Sequence, residues 1–358
     1  MTIIIAEAGV NHNGEESLAI ELVDAAAEAG ADIVKFQTFK SDQLVTKSAK
    51  QATYQAKNSG RSESQLEMLS KLELSYDSFY RIKERCDKNK IEFLSTAFDV
   101  SSLEFLVNDL KLKKFKISSG DLTNSPLLLE HAKYNCELIL STGMATLEEI
   151  KTALMVIKFA YVNPNELPSL NLLEDSSESS IDLDLLKDKV TLLHCTSDYP
   201  AQPSQINLNA IKTLKETFEL DIGYSDHSLG DEVAVSAVAL GASVIEKHFT
   251  LDKSFNGPDH KASLSSEELK TMIRKIRNIE VAMGDGVKAP LSSEEKNINI
   301  VRKSIVASKD IAEGSIFSKE NIAIKRPGDG MNPIVYWDLL GKISSKSYKI
   351  DDQIDEKF

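Results

Sequence analysis

The 358-residue chain has three cysteines, one tryptophan and only 6% aromatic residues. No apolar run approaches the roughly 20 residues that span a bilayer. Cys86, Cys136 and Cys195 are odd in number, far apart and without a C-x-x-C spacing. That excludes a disulfide framework or thiolate zinc site and suits reduced thiols in a cytoplasm. No basic region followed by an apolar core stands at the N-terminus, so no secretory signal is expected. Positive charge is in deficit: 42 Lys and Arg against 55 Asp and Glu leave a formal net charge of −13. This argues against nucleic acid and anionic membranes as partners, and an anionic small molecule would need a local cluster of Lys, Arg or metal. No G-x-G-x-x-G follows the first apolar run, which counts against a doubly wound dinucleotide fold.

What is present is ordinary globular composition, 42% hydrophobic and 27% charged, with a strongly alternating pattern. Short β-branched or aromatic runs at Ile3–Glu7, Ile33–Gln37, Glu92–Thr96, Lys114–Ser118, Glu137–Thr142, Val190–Cys195, Asp221–Ser225 and Ser243–His248 read as strands. Between them lie helical patterns such as Ser17–Ala29, stopped by Gly30, and Thr146–Ala160, opened by a Thr146/Glu149 capping box. Leu264–Met283 is opened in the same way by Ser265 and Glu268. Short strands alternating with helices over residues 1–284 predict an α/β chain folded as a (β/α)8 TIM barrel. The long polar segment Ser41–Leu74, with its own helical pattern at Gln65–Leu72, follows a barrel strand and is expected to be functional. Residues 161–189, rich in Ser, Asp and Glu, read as an acidic surface insertion on the face away from the site. Residues 285–303 read as a linker and 304–358 as a small domain, marginal alone and expected to lean on the barrel or another subunit.

A barrel builds its site at the C-terminal strand ends. The opening run IIIAEAG places Glu7 there, and a carboxylate at one strand mouth is usually only a solvated rim residue. The pattern recurs, however. In IVKFQT and FKIS, Lys35 and Lys116 alternate with apolar neighbours and so face the barrel interior. A buried ammonium must find an anion, and two such lysines suggest a bound polyanion. GYSDH and VIEKH end the seventh and eighth strands at His227 and His248. Neighbouring strands lie about 4.8 Å apart, so the two imidazoles can share one ion. With no cysteine nearby, Mn2+ or Mg2+ fits such an open site better than zinc. The other histidines carry less: His12 and His260 sit in loops, His131 reads as structural, and His194 divides evenly between core and substrate contact.

The ordered set AEAGVNHNG, VKFQTF, FKISSGD, STGM, LLHCTSDYP, GYSDH, VALGASVIEKHFTLD, GPDHKAS and KRPGDG closely resembles the sialic acid synthase family over nearly the whole chain, excepting residues 161–189. The resemblance implies a barrel followed by an antifreeze-like SAF domain of β-clip form. It also implies a domain-swapped homodimer in which the small domain caps the other subunit's site. The implied reaction condenses phosphoenolpyruvate, an N-acetylated hexosamine and water into a nine-carbon 2-keto-3-deoxy sugar acid and phosphate. Lys35 and Lys116, with Gln37, Thr96, Ser119 and Ser141, would hold the carboxylate and phosphate. Glu7 would stabilise developing cationic charge and orient the attacking water. Tyr199, Ser225, Glu246 and Asp259 match positions lining the site, Asp259 toward the sugar, and Arg326 matches the arginine reaching across from the other subunit.

Three departures bear on the sugar: Asp121 where the family commonly has Glu, Ala97 for proline, and Asp198 where relatives often carry Glu. The expected activity is N-acetylneuraminate synthase. The alternative is legionaminate synthase acting on 2,4-diacetamido-2,4,6-trideoxymannose, and pseudaminate synthase or a metal-dependent pyruvate aldolase ranks lower. A non-catalytic sugar- or ice-binding protein would need neither the histidine pair nor the two lysines.

Overall fold

The computed structural model describes residues 1–51, 63–169 and 184–357. Positions 170–183 of the expected acidic insertion, and 52–62 of the long segment after the second strand, lie outside them. All eight expected strands are present and parallel: β1 (Ile3–Gly9), β2 (Ile33–Thr38), β3 (Glu92–Ala97), β4 (Lys114–Ile117), β5 (Glu137–Ser141), β6 (Val190–Cys195), β7 (Asp221–Asp226) and β8 (Val244–Thr250). They pair in chain order, and β1 also pairs with β8, so the sheet closes into a barrel.

Helices follow the strands: α1 (Glu16–Ala29), α2 (Ser41–Leu44), α3 (Gln65–Leu72) and α4 (Tyr76–Asn89), then α5 (Val100–Asn108), α6 (Ser125–Lys133) and α7 (Leu147–Val162). The circuit continues through α8 (Asp184–Lys187), α9 (Pro203–Ile206), α10 (Ala210–Phe218) and α11 (Glu232–Ala239), then the two-residue β9 (Leu264–Ser265) and α12 (Ser266–Met283). Capping is local chemistry. Gly30 adopts φ 87°, where a side chain would be strained, and its N–H closes α1 onto Ala26 and Ala27. Reciprocal Ser/Thr–Glu boxes open α3, α7 and α12.

Two apolar layers hold the barrel. Outward-facing strand residues pack under the helices in one large cluster. Inside, Ile5, Ile33, Leu94, Ile139, Leu193 and Val244 form a separate plug across the lumen. Gly223 of β7 completes that plug by having no side chain: a Cβ there would lie 2.5 Å from Leu193 Cδ2 and from the Val244 carbonyl oxygen.

The chain divides into two compact units, Met1–Gly284 and Asp285–Phe358. Residues 285–303 group with the second unit and carry a helix, α13 (Ser292–Val301), none of whose side chains is buried. Without a buried stripe the helix leaves no apolar period in the sequence, which is why the stretch reads as a linker. The antiparallel pair β10 (Ser304–Ala307) and β11 (Ile322–Lys325) supports a small core including Ile305, Phe317, Leu339 and Tyr348. Among the described residues no helix is long and apolar enough to cross a membrane.

His131, expected to be structural, is fully buried on α6, with Nδ1 2.8 Å from the Leu127 carbonyl. Burial lowers its pKa from 6.5 to about 4. The neutral form is therefore favoured in the folded state, and its stability contribution is present above pH 6.5 and lost as pH falls toward 4. Between pH 7 and pH 5 this one group should remove about 2 kcal/mol. His131→Leu is expected to shed that part of the acid sensitivity in urea unfolding at the two pH values, while His12, also lowered to about 4 by burial, retains its own part.

Candidate active site at the barrel mouth

The strand period of two places a polar layer directly above the apolar plug. Two residues beyond Ile5, Ile33, Leu94, Ile139 and Val244 come Glu7, Lys35, Thr96, Ser141 and Glu246, and Lys116 stands beside Thr96 in the β3–β4 register. All six are buried. Lys35 Nζ lies 2.9 Å from Glu7 Oε2 and 3.5 Å from Glu246 Oε2, close enough for ion pairing, though neither oxygen receives a well-aligned hydrogen bond. Lys116 Nζ donates to Ser141 Oγ at 2.6 Å and lies 3.8 Å from Glu246 Oε1. Ser225 Oγ donates to the same Glu246 oxygen at 2.7 Å, and Gln37 Nε2 donates to Glu7 Oε1 at 3.3 Å.

The two carboxylates are not equivalent. Burial, and then the like charge of Glu246, push the Glu7 carboxyl up against the opposing pull of Lys35. Burial also opposes ionisation of Glu246, but Lys116 and Lys35 outweigh it and hold that carboxyl well below its usual range. Burial lowers Lys116, whereas Lys35 is raised because its two carboxylate neighbours overcome the same burial. Glu246 is thus the firm anion of the cluster and Glu7 the one poised to exchange a proton.

His227 and His248 stand at the adjacent rim, ring centres 5.6 Å apart. His227 Nδ1 bonds the Thr196 carbonyl at 2.6 Å, which fixes that nitrogen as the donor and turns the Nε2 lone pair toward Ser225 Oγ, 3.3 Å away. His248 Nδ1 is buried without a hydrogen-bond partner and lies 3.9 Å from Asp259 Oδ2. Burial holds His227 at about 4 and His248 well below 6.5, so both rings are neutral and ligand-ready. Among the described residues no group of three or more His, Cys, Asp or Glu converges for a metal. The two imidazoles alone could hold an ion only with water or substrate in its remaining positions. Asp259, raised to about 7 by burial and then by Glu7, completes this rim, and Tyr199 stacks on His227 at 4.0 Å.

These residues line one cavity of about 500 Å3 with Gln37, Thr96, Ser119, Ser141 and Ser225. Ser119 accepts from the Gly143 N–H at 3.0 Å. One expected barrel site residue stands elsewhere. Asp121 is not in the lining; its carboxylate accepts from Ser118 Oγ at 2.6 Å and Asn124 Nδ2 at 3.4 Å within a 3-10 turn. Arg326 belongs to the second unit, where its Nε donates to the Val301 carbonyl at 3.0 Å. His194 Nε2 bonds the Ile206 carbonyl at 2.7 Å, and His260 bridges Thr250 and Asn13. The segment Ser41–Leu74, expected to be functional, supplies the cavity's apolar side with Leu44, Val45, Met68, Leu69 and Leu72, joined by Phe98, although no motif singled out these residues. The spacing of Met68, Leu69 and Leu72 signals a buried face, but not that the face borders a cavity.

The chain matches the NeuB family over residues 22–288 and the SAF domain over residues 302–356. It is 50% identical over 355 residues, 99% of each chain, to the N,N'-diacetyllegionaminic acid synthase of Campylobacter jejuni. It is 45% identical to the protein of that name from Legionella pneumophila, over 94% of this chain and 89% of the relative. The solved N-acetylneuraminic acid (sialic acid) synthetase of Leptospira borgpetersenii superposes with a TM-score of 0.67 at 34% identity, over 83% of this chain and 90% of that one.

Glu246 is the partner both lysines share. Glu246→Gln is expected to destabilise the barrel by about 3–5 kcal/mol, the range for breaking a buried ion pair from one side. Adding Lys35→Met should return part of the loss in denaturant titrations, because one uncompensated ammonium is then removed.

Proposed function

Because the chain belongs to the NeuB family of sialic acid synthases, we propose that it makes N,N'-diacetyllegionaminate from phosphoenolpyruvate, 2,4-diacetamido-2,4,6-trideoxymannose and water. It is a transferase of the phosphoenolpyruvate-condensing type. The sequence alone puts N-acetylneuraminate first, but identities of 50% and 45% to two legionaminic acid synthases favour the diacetamido sugar. The apolar side of the cavity at Leu44, Val45, Met68, Leu69, Leu72 and Phe98 supports the same choice. This sugar presents a C6 methyl and a second acetamido methyl where N-acetylmannosamine presents hydroxyls.

The observation that carries the reaction is the pair of buried lysines set around Glu246, with Glu7 beside one of them. Lys35 and Lys116, with Thr96, Ser119, Ser141 and Gln37, would hold the carboxylate and phosphate of phosphoenolpyruvate and exclude bulk water from them. A divalent ion, Mn2+ or Mg2+, held by His227 and His248 would when bound supply Lewis acidity to the aldehyde oxygen of the open-chain sugar. C3 of phosphoenolpyruvate forms the new bond to the aldehyde carbon, and the aldehyde oxygen becomes a hydroxyl. The positive charge left at C2 faces Glu7, which orients a water and takes its proton as the oxygen adds to C2. The C2 hydroxyl gives its proton to the departing phosphate as the C2–O bond breaks, which leaves the keto group, and the proton taken by Glu7 balances the one gained by the aldehyde oxygen. Asp259 and Tyr199 would orient the sugar beside the histidines. As a homodimer with exchanged second units, Arg326 would reach the neighbouring copy's site; light scattering tests the dimer.

Phosphate release with Mn2+ is expected to favour the diacetamido sugar over N-acetylmannosamine by about 10–200-fold in kcat/KM, the value of an apolar contact in a shaped pocket. The reverse preference would make the protein an N-acetylneuraminate synthase, and release with neither sugar would overturn both. Glu7→Gln keeps the size and most contacts of the side chain but removes its proton-accepting carboxylate. It should lower kcat by about 10²–10⁴-fold with little change in the KM for phosphoenolpyruvate, whereas a parallel rise in KM would assign Glu7 to binding.

A further inference from the structure

Behind the histidine pair, on the opposite face of the sheet, lies a second buried ion pair for which the reaction has no use. Asp226 ends β7 and Lys247 lies within β8, and each is 1% exposed. Lys247 Nζ lies 2.7 Å from Asp226 Oδ2 and donates to the Ser228 carbonyl at 2.6 Å. The other carboxylate oxygen, Asp226 Oδ1, accepts from Ser228 N at 2.9 Å, Ser228 Oγ at 2.7 Å and Tyr224 Oη at 3.4 Å.

Its place in the register gives the pair a role. Ser225↔Glu246 and Asp226↔Lys247 are the last paired positions between β7 and β8. His227 and His248 are the next residues on the two strands, one step past the end of that ladder. Main-chain pairing of β7 with β8 therefore stops just before the two imidazoles. At that point the seam is crossed on the lumen side by the Ser225–Glu246 hydrogen bond and on the other side by the Asp226–Lys247 bond, reinforced by the turn that Ser228 makes back onto both partners. Apolar side chains would cover the same seam without fixing it: a buried ion pair is weak evidence for stability, and well-packed hydrophobic replacements are often neutral or stabilising. Its directional geometry, with both carboxylate oxygens and the ammonium bonded, is suited to holding register.

Resting on the reading of His227 and His248 as metal ligands, we propose that Asp226 and Lys247 are positioning residues that lock the ends of β7 and β8 so that the two imidazoles stay at metal-binding separation. The pair lies outside the cavity lining. It acts on metal affinity through geometry, as groups behind a metal's direct ligands commonly do, at about 10–100-fold per site.

The test is direct Mn2+ binding, followed by electron paramagnetic resonance of the free ion, in the full-length protein and in the double variant Asp226→Leu/Lys247→Met. Expected are a folded protein, with a lowered melting temperature because Ser228 N–H, Ser228 Oγ and Tyr224 Oη lose their acceptor, and Mn2+ affinity at least about tenfold weaker, with the Lys247→Arg variant staying close to native. Unchanged affinity in the folded double variant would overturn the proposal while leaving the metal reading intact. No Mn2+ binding by the native protein would overturn both. Should the double variant not fold, Ser228→Ala decides. This substitution deletes one donor to Asp226, so weaker Mn2+ binding at unchanged melting temperature supports the lock, and native-like binding overturns it.

Discussion

Burying four charges at the mouth of a barrel, directly above its apolar plug, is tolerable only because they neutralise one another. Lys35 and Lys116 are 4% and 3% exposed, out of contact with bulk water, and each has Glu246 within 4 Å. An isolated ammonium at such depth would lose its proton or unfold the strand end that carries it. The apolar plug beneath them, from Ile5 to Val244, sets that depth by barring water from below. Glu7 and Glu246 are thus structural counter-ions before they are anything else, and an arriving phosphate and carboxylate would compete with them for the same ammonium groups. The upward pull on Glu7 against the downward pull on Glu246 indicates which carboxylate can change its role when that competition occurs.

A cavity built around such a cluster is polar at its floor, but its walls are not uniform. One side is the histidine rim with Tyr199 and Asp259; the other is the apolar face of α2, α3 and Phe98. Charge at the base suits the small anion common to the whole family, while apolar area higher up suits whatever distinguishes one acylated sugar from another. The division is physical. A buried ammonium at the floor must keep an anionic partner, whereas a methyl-sized contact in the wall changes affinity by only about 1–3 kcal/mol and can vary between relatives.

Much of this was legible from residue order. The eight strands follow from β-branched runs between turn signals, the helix starts from Ser/Thr–Glu boxes, and the inward lysines from alternation with Phe and Ile, because a strand's period of two is a local property. The lumen positions of Glu7, Lys35, Thr96, Lys116, Ser141, Ser225, Glu246 and His248 all follow from the same parity. The helix at Ser292–Val301 was not legible, since a helix without a buried face imposes no period. Nor was the turn that binds Asp121 to Ser118 and Asn124 and keeps it out of the cavity.

By itself, then, the sequence determined which residues face the lumen and that two lysines and two histidines stand at strand ends, because those facts depend only on neighbours along the chain. Tertiary structure alone decided how those groups pair. Glu246 shared between two lysines, Asp226 bound to Lys247 behind the histidines, and the α2–α3 wall closing one side of the cavity all join segments far apart in sequence. Such pairings depend on barrel closure and strand register, which fix distances that no local pattern encodes.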